Sequence, residues 1–133
     1  MPWRFFRKVR SLFIHIIEDD YAVADSLALL LEDFGHEVKC YPDAETFFEQ
    51  GPPNAEDCVV VDIGLPGVTG DEVINWLRGL ATPPGIMVMS GKSKTLLERS
   101  KLDLKSLTVL RKPLSMRAIA EHFGPSEATA AYP

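Results

Sequence analysis

The sequence predicts a doubly wound α/β fold, in which helices cover both faces of a five-stranded parallel sheet. Short apolar runs alternate with segments of helical period five times along the chain. The central runs are continuous rather than alternating, which is typical of parallel strands that are buried on both faces. With 133 residues and 46% hydrophobic content, the chain is long enough for one domain with a sizeable core.

The first half of the chain predicts two strand–helix pairs. The first strand is Leu12–Ile17, and the helix after it carries apolar residues at spacings of three and four until Gly35 ends it. Val38 and Cys40 mark a short second strand. Asp43 can cap a short second helix that includes the next two phenylalanines.

The middle of the chain predicts the central strand and the long loop after it. Cys58–Val61 is an unbroken apolar run, and Leu65–Gly70, with one proline and two glycines, is a loop. A third helix begins near Asp71 and Glu72, whose charges suit a helix N-terminus. Ile86–Met89 forms the fourth strand.

The last third predicts a weak helix, a strand and a well-marked final helix. The weak helix includes Leu96 and Leu97, and the fifth strand is Leu107–Leu110. Ser115 can cap the last helix, which Gly124 and the following proline close. We expect a basic N-terminal extension over 1–11, one domain over 12–124 and a disordered tail over 125–133.

The charge is unevenly distributed. The formal charge is −5, and residues 1–11 hold four bases and no acid, so −9 remains on residues 12–133. An acidic body argues against direct nucleic-acid binding by the domain. No run is long enough to cross a bilayer and no signal peptide is recognisable, so we expect a soluble, cytoplasmic protein.

The basic extension has an amphipathic pattern. On a helical wheel, Phe5, Phe6 and Val9 lie opposite the four basic residues. Such a segment can contact an acidic membrane surface or a partner, but a frayed extension is the favoured interpretation. Membrane contact is the least favoured of these alternatives.

The cysteines and histidines lack the spacing of a metal site. Cys40 and Cys58 lie in apolar runs, and we interpret both as reduced core residues. We interpret His15, His36 and His122 as structural or solvated.

Polar groups follow four of the predicted strands. They are Glu18, Asp19 and Asp20 after the first strand, Asp62 after the third, Ser90 after the fourth and Lys112 after the fifth. Ligands of doubly wound folds bind at this carboxyl edge. Clustered carboxylates repel one another unless a cation such as Mg²⁺ lies between them, and the same cation, with a lysine and a hydroxyl, suits a phosphoryl group. The sequence therefore predicts a phosphoryl-accepting site with Mg²⁺ as cofactor.

Four stretches resemble the receiver domains of response regulators in two-component signal transduction, the CheY-like superfamily. They are IIEDD at 16–20, VVVDIGLPGVTG at 59–70, MVMSGKS at 87–93 and LRKPLS at 110–115. The resemblance covers residues 12–123. It implies a flavodoxin-like fold with strand order 2-1-3-4-5.

The resemblance also implies the roles of the acids and of the loop after the central strand. Asp62 corresponds to the phosphoacceptor, a carboxylate nucleophile. Asp19 corresponds to the metal-binding acid, and Glu18 to the second acid, which often holds a metal-bound water. The carbonyl of Gly64 supplies a backbone oxygen to the metal.

The remaining site residues are implied in the same way. Ser90, followed by the small Gly91, corresponds to the hydroxyl that turns toward the phosphoryl group. Lys112 corresponds to the lysine that pairs with that group, and its bond to Pro113 is expected to be cis. The family commonly has Tyr or Phe three residues before this lysine, whereas this chain has Val109, so the usual aromatic switch is in doubt.

The resemblance implies a signalling role rather than an enzymatic one. A histidine kinase or a histidine phosphotransfer protein donates the phosphoryl group, and the changed surface around Ser90 and Lys112 alters binding to a downstream protein. With no effector domain after Phe123, a stand-alone regulator or relay intermediate is expected. Whether the domain also forms a homodimer stays open at this point.

Three alternatives stay open. The chain could be the receiver half of a truncated transcription factor. It could be a phosphatase of the haloacid-dehalogenase type, which is disfavoured because Gly64 stands where that family needs a second acid. It could also be a degenerate receiver that no longer accepts phosphate; the complete set of site residues argues against this alternative, and Val109 keeps it open.

Overall fold

The computed structural model describes residues 11–91 and 107–124. Five strands and four helices lie in these ranges. They are β1 (Phe13–Ile17), α1 (Tyr21–Asp33), β2 (Glu37–Tyr41), α2 (Ala44–Glu49), β3 (Cys58–Asp62), α3 (Gly70–Arg78), β4 (Gly85–Ser90), β5 (Thr108–Arg111) and α4 (Met116–Phe123). The predicted helix at Leu96 and Leu97, most of the basic extension and the predicted tail lie outside the described residues.

The five strands form one parallel sheet with the order β2-β1-β3-β4-β5, which confirms the predicted fold class and strand order. The register aligns Ile17 with Val61, Val61 with Val88, and Val88 with Val109. This row crosses the four neighbouring strands just before they end. The residues that follow it therefore meet at one edge of the sheet.

Apolar side chains pack on both faces of the sheet, because successive strand residues point to opposite sides. On one face, Ile17 and Phe47 belong to a cluster that α2 and α3 cover. On the other face, Ile16 and Leu31 belong to a cluster that α1 and α4 cover. We call these clusters the α2–α3 core and the α1–α4 core. Both keep the strand ends in fixed positions under the site.

Each helix begins at a side chain that caps its free amides. Asp20 accepts hydrogen bonds from two amides of α1, Asp43 from one of α2, and Ser115 from one of α4. The predicted caps at Asp43 and Ser115 are thus confirmed. The third helix begins slightly earlier than predicted, because Thr69 caps it and Gly70 is its first residue.

The interpretation of both cysteines as core residues is half wrong. Cys58 is buried, but Cys40 is exposed. Strand β2 is an edge strand, so the helix beside it covers only part of its surface. The Cys40 thiol lies 3.8 Å from the carbonyl oxygen of Ala24, at the margin of this cover.

Two of the histidines are structural, as expected. His15 is buried and lies 2.9 Å from the Tyr41 hydroxyl and 2.8 Å from a carboxylate oxygen of Asp57. His36 is also buried, whereas His122 is exposed on α4. Within the described ranges, no helix has both the length and the apolar character needed to span a membrane.

Candidate functional site

The carboxyl edge of the sheet brings together three charged side chains that are far apart in the sequence. Glu18 follows β1, Asp62 ends β3 and Lys112 follows β5. The Lys112 ammonium donates hydrogen bonds to Glu18 Oε2 at 2.7 Å and to Asp62 Oδ2 at 3.2 Å. One cation thus bridges two carboxylates.

Glu18, Asp19 and Asp62 form an acidic cluster. Each can offer a carboxylate oxygen, and these oxygens lie within 4.8 Å of one another. Glu18 and Asp62 are buried, whereas Asp19 is exposed. Mg²⁺ prefers oxygen ligands and keeps several waters, so a cluster that is open on one side fits this ion. The donor set therefore agrees with the predicted cofactor.

Both oxygens of Asp62 have hydrogen-bond donors. The amide of Gly64 donates to Oδ1 at 2.9 Å, and Lys112 donates to Oδ2. The residue is only 6% exposed, yet it lies at the end of a strand beside an exposed glycine. These two hydrogen bonds hold its carboxylate in one orientation at the carboxyl edge of the sheet.

The electrostatic state of the site follows from burial and from the ion pairs. Burial raises the pKa of Glu18, and the hydrogen bonds from Lys112 and from the Asp20 amide partly oppose this effect. Burial lowers the pKa of Lys112, but the hydrogen bonds to Glu18 and Asp62 outweigh it, so its pKa lies above the ordinary value. The lysine is therefore charged at neutral pH.

The switch residues predicted from the sequence lie at the same edge. Ser90 ends β4 and is 1% exposed, and its carbonyl accepts a hydrogen bond from the Lys112 amide at 2.8 Å. A Cβ atom on Gly91 would lie 3.9 Å from the stem of Lys112, so this small residue lies against the lysine. The bond between Lys112 and Pro113 is cis, as expected.

Val109 is half-buried and packs against the α2–α3 core. In the sheet it pairs with Val88, so an aliphatic side chain continues the row beneath the site. The position that carries an aromatic ring in many receivers thus holds a stiff, branched side chain here.

Two residues near the site were missed by the sequence reasoning. A Cβ atom on Gly70 would lie 2.6 Å from the backbone oxygen of Asp62, so only glycine fits there without a shift. The only sequence feature that could have indicated this role of Gly70 was its position at the end of a loop that contains another glycine. Glu45 Oε1 accepts a hydrogen bond from the Val68 amide at 3.1 Å and holds the same loop from α2. No local pattern indicates that contact, because the residues are 23 positions apart.

Comparisons with known proteins agree with this geometry. The family model described as response regulator receiver domain matches residues 14–123. The transcriptional regulatory protein FixJ of Azorhizobium caulinodans is 35% identical over 109 residues, which are 82% of this chain and 52% of that protein. The tetrathionate response regulatory protein TtrR of Salmonella typhimurium is 26% identical over 106 residues, 80% of this chain and 52% of that protein.

Solved structures give the same result for the fold. Full-length FixJ from B. japonicum superposes with a TM-score of 0.72 at 27% identity, over 93% of this chain and 61% of that one. The chemotaxis response regulator CheY4 of Vibrio cholerae has a TM-score of 0.70 at 17% identity, over 84% of this chain and 94% of that one, and this likeness concerns the fold alone.

The chain spans about half the length of the curated relatives FixJ and TtrR. The match to the family model covers nearly all of the described sheet, from β1 to the end of α4. The chain therefore belongs to the response regulator receiver domain family.

Proposed function

We propose that Asp62 accepts a phosphoryl group from a histidine kinase or a histidine phosphotransfer protein. The observation that carries this proposal is the convergence of Glu18, Asp19, Asp62 and Lys112 at the carboxyl edge of the sheet. A lone aspartate after a strand is often a turn residue. A buried one with two other acids and a bridging lysine has the surroundings of a phosphoryl acceptor.

The transfer is a substitution at phosphorus. One Asp62 oxygen forms a P–O bond while the P–N bond to the donor imidazole breaks, and the imidazole keeps the electron pair and takes up a proton. The Gly64 amide and the Lys112 ammonium hold the carboxylate in place. Because positioning and charge neutralisation dominate phosphoryl transfer, this orientation is the main contribution of the chain.

Glu18, Asp19, Asp62 and the carbonyl of Gly64 would hold Mg²⁺. When bound, the ion would neutralise negative charge on the phosphoryl oxygens. The buried acids and the exposed Asp19 leave one side of the cluster for water or a phosphoryl oxygen. Binding of the ion would also relieve the repulsion among the three carboxylates.

Ser90 and Lys112 would bind the phosphoryl oxygens after transfer. Lys112 is already within hydrogen-bond distance of Asp62, and the strand register places Ser90 at the same edge. A shift of these two residues would change the surface between β4 and β5 and alter binding to a downstream protein. Val109 lacks a ring to move, so the signal would pass through the backbone after Ser90.

We infer a stoichiometric acceptor rather than an enzyme with turnover. Gly64 stands where a phosphatase of the haloacid-dehalogenase type needs an acid, and this glycine donates its amide to Asp62 instead. A kinase that uses ATP as its phosphate source would place the reaction in the cytoplasm. Release of phosphate from small phosphoesters over many turnovers would contradict this part of the proposal.

The direct test is incubation with acetyl phosphate and Mg²⁺, followed by intact-mass measurement. The wild type is expected to gain one phosphoryl group, and Asp62→Ala none. Asp33→Ala is a control, because Asp33 is an exposed acid at the last residue of α1 and is not part of the acidic cluster, so it should leave labelling unchanged. A wild type without added mass, or equal labelling of Asp62→Ala, would overturn the proposal.

A second candidate is the receiver half of a DNA-binding regulator. It is favoured because FixJ is a transcriptional regulatory protein and because the chain matches only about half of the length of FixJ. In that case the downstream partner would be an effector domain of the same polypeptide. The reading frame of the gene beyond the codon for Pro133 decides between the two candidates.

A further inference from the structure

One buried imidazole joins the start of β1 to the end of α4. His36 is 4% exposed. The Leu12 amide donates a hydrogen bond to Nδ1 of this histidine at 3.0 Å. The other ring nitrogen, Nε2, lies 3.2 Å from the carbonyl oxygen of Phe123 and 3.1 Å from that of Gly124. We call these three contacts the His36 latch.

The partners of the ring fix its protonation state. A backbone amide can only donate, so Nδ1 carries no proton when it accepts from Leu12. A carbonyl oxygen can only accept, so Nε2 carries the proton that it donates to Phe123 and Gly124. The latch therefore requires the neutral imidazole in its Nε2–H tautomer.

Neighbouring hydrogen bonds do not depend on the ring. The Leu12 carbonyl accepts from the Glu37 amide at 2.9 Å, which pairs the start of β1 with β2. The Ser11 hydroxyl donates to the carbonyl of Gly35 at 2.9 Å. Loss of the latch would therefore open a local joint and leave the sheet paired.

Helix α4 connects the latch with the candidate site. Its N-terminal cap is Ser115, three positions after Lys112. Its last residue is Phe123, whose ring packs edge-on against the imidazole at a centroid distance of 6.4 Å. The carbonyls at a helix C-terminus have no partner within the helix, so the donated Nε2 hydrogen satisfies groups that would otherwise need water. His36 thus anchors the far end of the helix that begins beside the site.

We propose that the His36 latch is a pH-sensitive joint, closed when the imidazole is neutral and opened by its protonation. A proton from solvent binds the Nδ1 lone pair that the Leu12 amide occupied, so two donors then face each other and that hydrogen bond is lost. The Nε2 hydrogen keeps its carbonyl acceptors, and the C-terminal end of α4 attracts the positive ring. Protonation therefore separates the ring from the start of β1 while the ring stays with α4.

The direction of the pH effect follows from the number of bound protons. The ring holds one proton when the joint is closed and two when it is open, so acidification favours opening. A difference of one proton changes the opening equilibrium by at most about tenfold per pH unit. Histidine side chains change charge between about pH 5 and 8, which is the range in which the joint would respond. Asp62 takes no part, so this proposal and the proposed function can fail separately.

Other titratable groups near the joint are solvated or lie on the other face of the sheet. His15 and Lys39, on the two strands beside the latch, both contact Tyr41 of the α2–α3 core. The Cys40 thiol lies beside α1 and stays neutral, because burial raises its pKa. Water and salt screen the exposed charges, so the ring's own hydrogen bonds decide its state. The ends of α1 and α4 and the start of β2 carry the exposed Glu32, Asp33, Glu37, Glu121 and His122.

NMR of the histidine ring nitrogens tests the closed state. Two-bond nitrogen–hydrogen spectra of the full chain distinguish the two neutral tautomers from each other and from the imidazolium. The signals of His36 are assigned by their loss in His36→Gln. At about pH 8 we expect the Nε2–H tautomer. The Nδ1–H tautomer, or an imidazolium at that pH, would overturn the proposal.

Amide hydrogen exchange between about pH 8 and 5 tests the opening. After correction for the intrinsic exchange rate, we expect protection of the wild-type Leu12 amide to fall by up to about tenfold per pH unit. His36→Gln should show no such fall, because its side-chain amide can accept and donate but does not titrate. His122→Gln is the matched control, since it removes an exposed histidine of α4, and it should behave as the wild type.

Two results would overturn the opening of the joint. They are protection of the wild-type Leu12 amide that does not change with pH, and an equal fall in His36→Gln. Glu18, whose pKa is raised by burial, is present in all three proteins, so its titration contributes equally. If His36→Gln does not fold, the wild type and His122→Gln still decide. The His36 ring must become charged at the pH where Leu12 protection falls, and two different pH values would overturn the proposal.

Discussion

Lys112 bridges two carboxylates, so its removal gives a sharp test of the site electrostatics. Lys112→Met keeps most of the length of the side chain and its packing against Gly91 but removes the charge. The Glu18 side chain is fully buried and that of Asp62 is 8% exposed, so both would lose their cation in surroundings of low polarity. Breaking a buried pair costs about 3–5 kcal/mol, and the partial exposure of the lysine reduces our expectation to about 2–3 kcal/mol at pH 8.

The loss should depend on pH in a defined direction. The pKa of Glu18 is already raised by burial, and the hydrogen bond from Lys112 opposes that rise. Because the folded-state pKa of Glu18 lies above its unfolded-state pKa, its contribution to the free energy of unfolding is fully present below the unfolded-state pKa. That contribution is lost as the pH rises through the folded-state pKa. Without the lysine the folded-state pKa of Glu18 is higher still, so the destabilisation is small near pH 4 and is complete only at higher pH.

The assay is urea unfolding without divalent cations at several pH values. At pH 8 we expect the midpoint of the variant to lie about 0.7–3 M below that of the wild type, because a loss of about 2–3 kcal/mol is divided by a typical dependence of about 1–3 kcal/mol per molar urea. Arg117→Met is the control, because Arg117 is 91% exposed in an ion pair with Glu121 and should contribute less than about 0.5 kcal/mol. A loss of stability that is independent of pH, or a more stable variant, would refute the reasoning.

Three further predictions concern the surroundings of the site. Gly70→Ala should lower the melting temperature by several degrees and reduce labelling by acetyl phosphate, because the new Cβ meets the Asp62 backbone. Gly79→Ala is the control and should be tolerated, because its new Cβ makes only ordinary contacts. Equal melting temperatures of the two variants would contradict this prediction. Iodoacetamide should modify Cys40 in the folded protein and Cys58 only after unfolding, as peptide mass spectrometry can check. Glu45→Ala should weaken Mg²⁺ binding several-fold in calorimetry, because the loop loses the hydrogen bond from the Val68 amide. Glu45→Gln should weaken it much less, because the side-chain amide oxygen of glutamine can still accept that hydrogen bond. Equal losses in the two variants would contradict this reasoning and indicate that only the charge matters.

The position of the site could be predicted from the sequence for a simple physical reason. Parallel strands end at a common edge, so polar residues after β1, β3, β4 and β5 must lie near one another once the sheet is recognised. To predict that Glu18, Asp62 and Lys112 lie at this edge, one needs only that rule and the apolar runs that precede them in the sequence. The caps Asp43 and Ser115 were equally predictable, because capping depends on local hydrogen bonds.

Contacts between distant elements could not be predicted. The bond from Lys112 to Glu18 joins residues 94 positions apart, and only the folded geometry shows that the lysine bridges two acids. The close approach of Gly70 to Asp62 depends on the path of one loop. Cys40 was misjudged because exposure depends on the place of β2 at the sheet edge, and apolar neighbours in the sequence give no information about that.

The measurement that tests the central claim most directly is chemical trapping of the acyl phosphate. Hydride reduction with borohydride after labelling converts a phosphorylated aspartate into homoserine and releases phosphate, and peptide mass spectrometry then locates the changed residue. We expect homoserine at Asp62 alone, and none when acetyl phosphate is omitted. Homoserine at Asp19 instead, or an unchanged Asp62 in protein that has gained a phosphoryl group, would contradict the assignment of Asp62 as the phosphoacceptor.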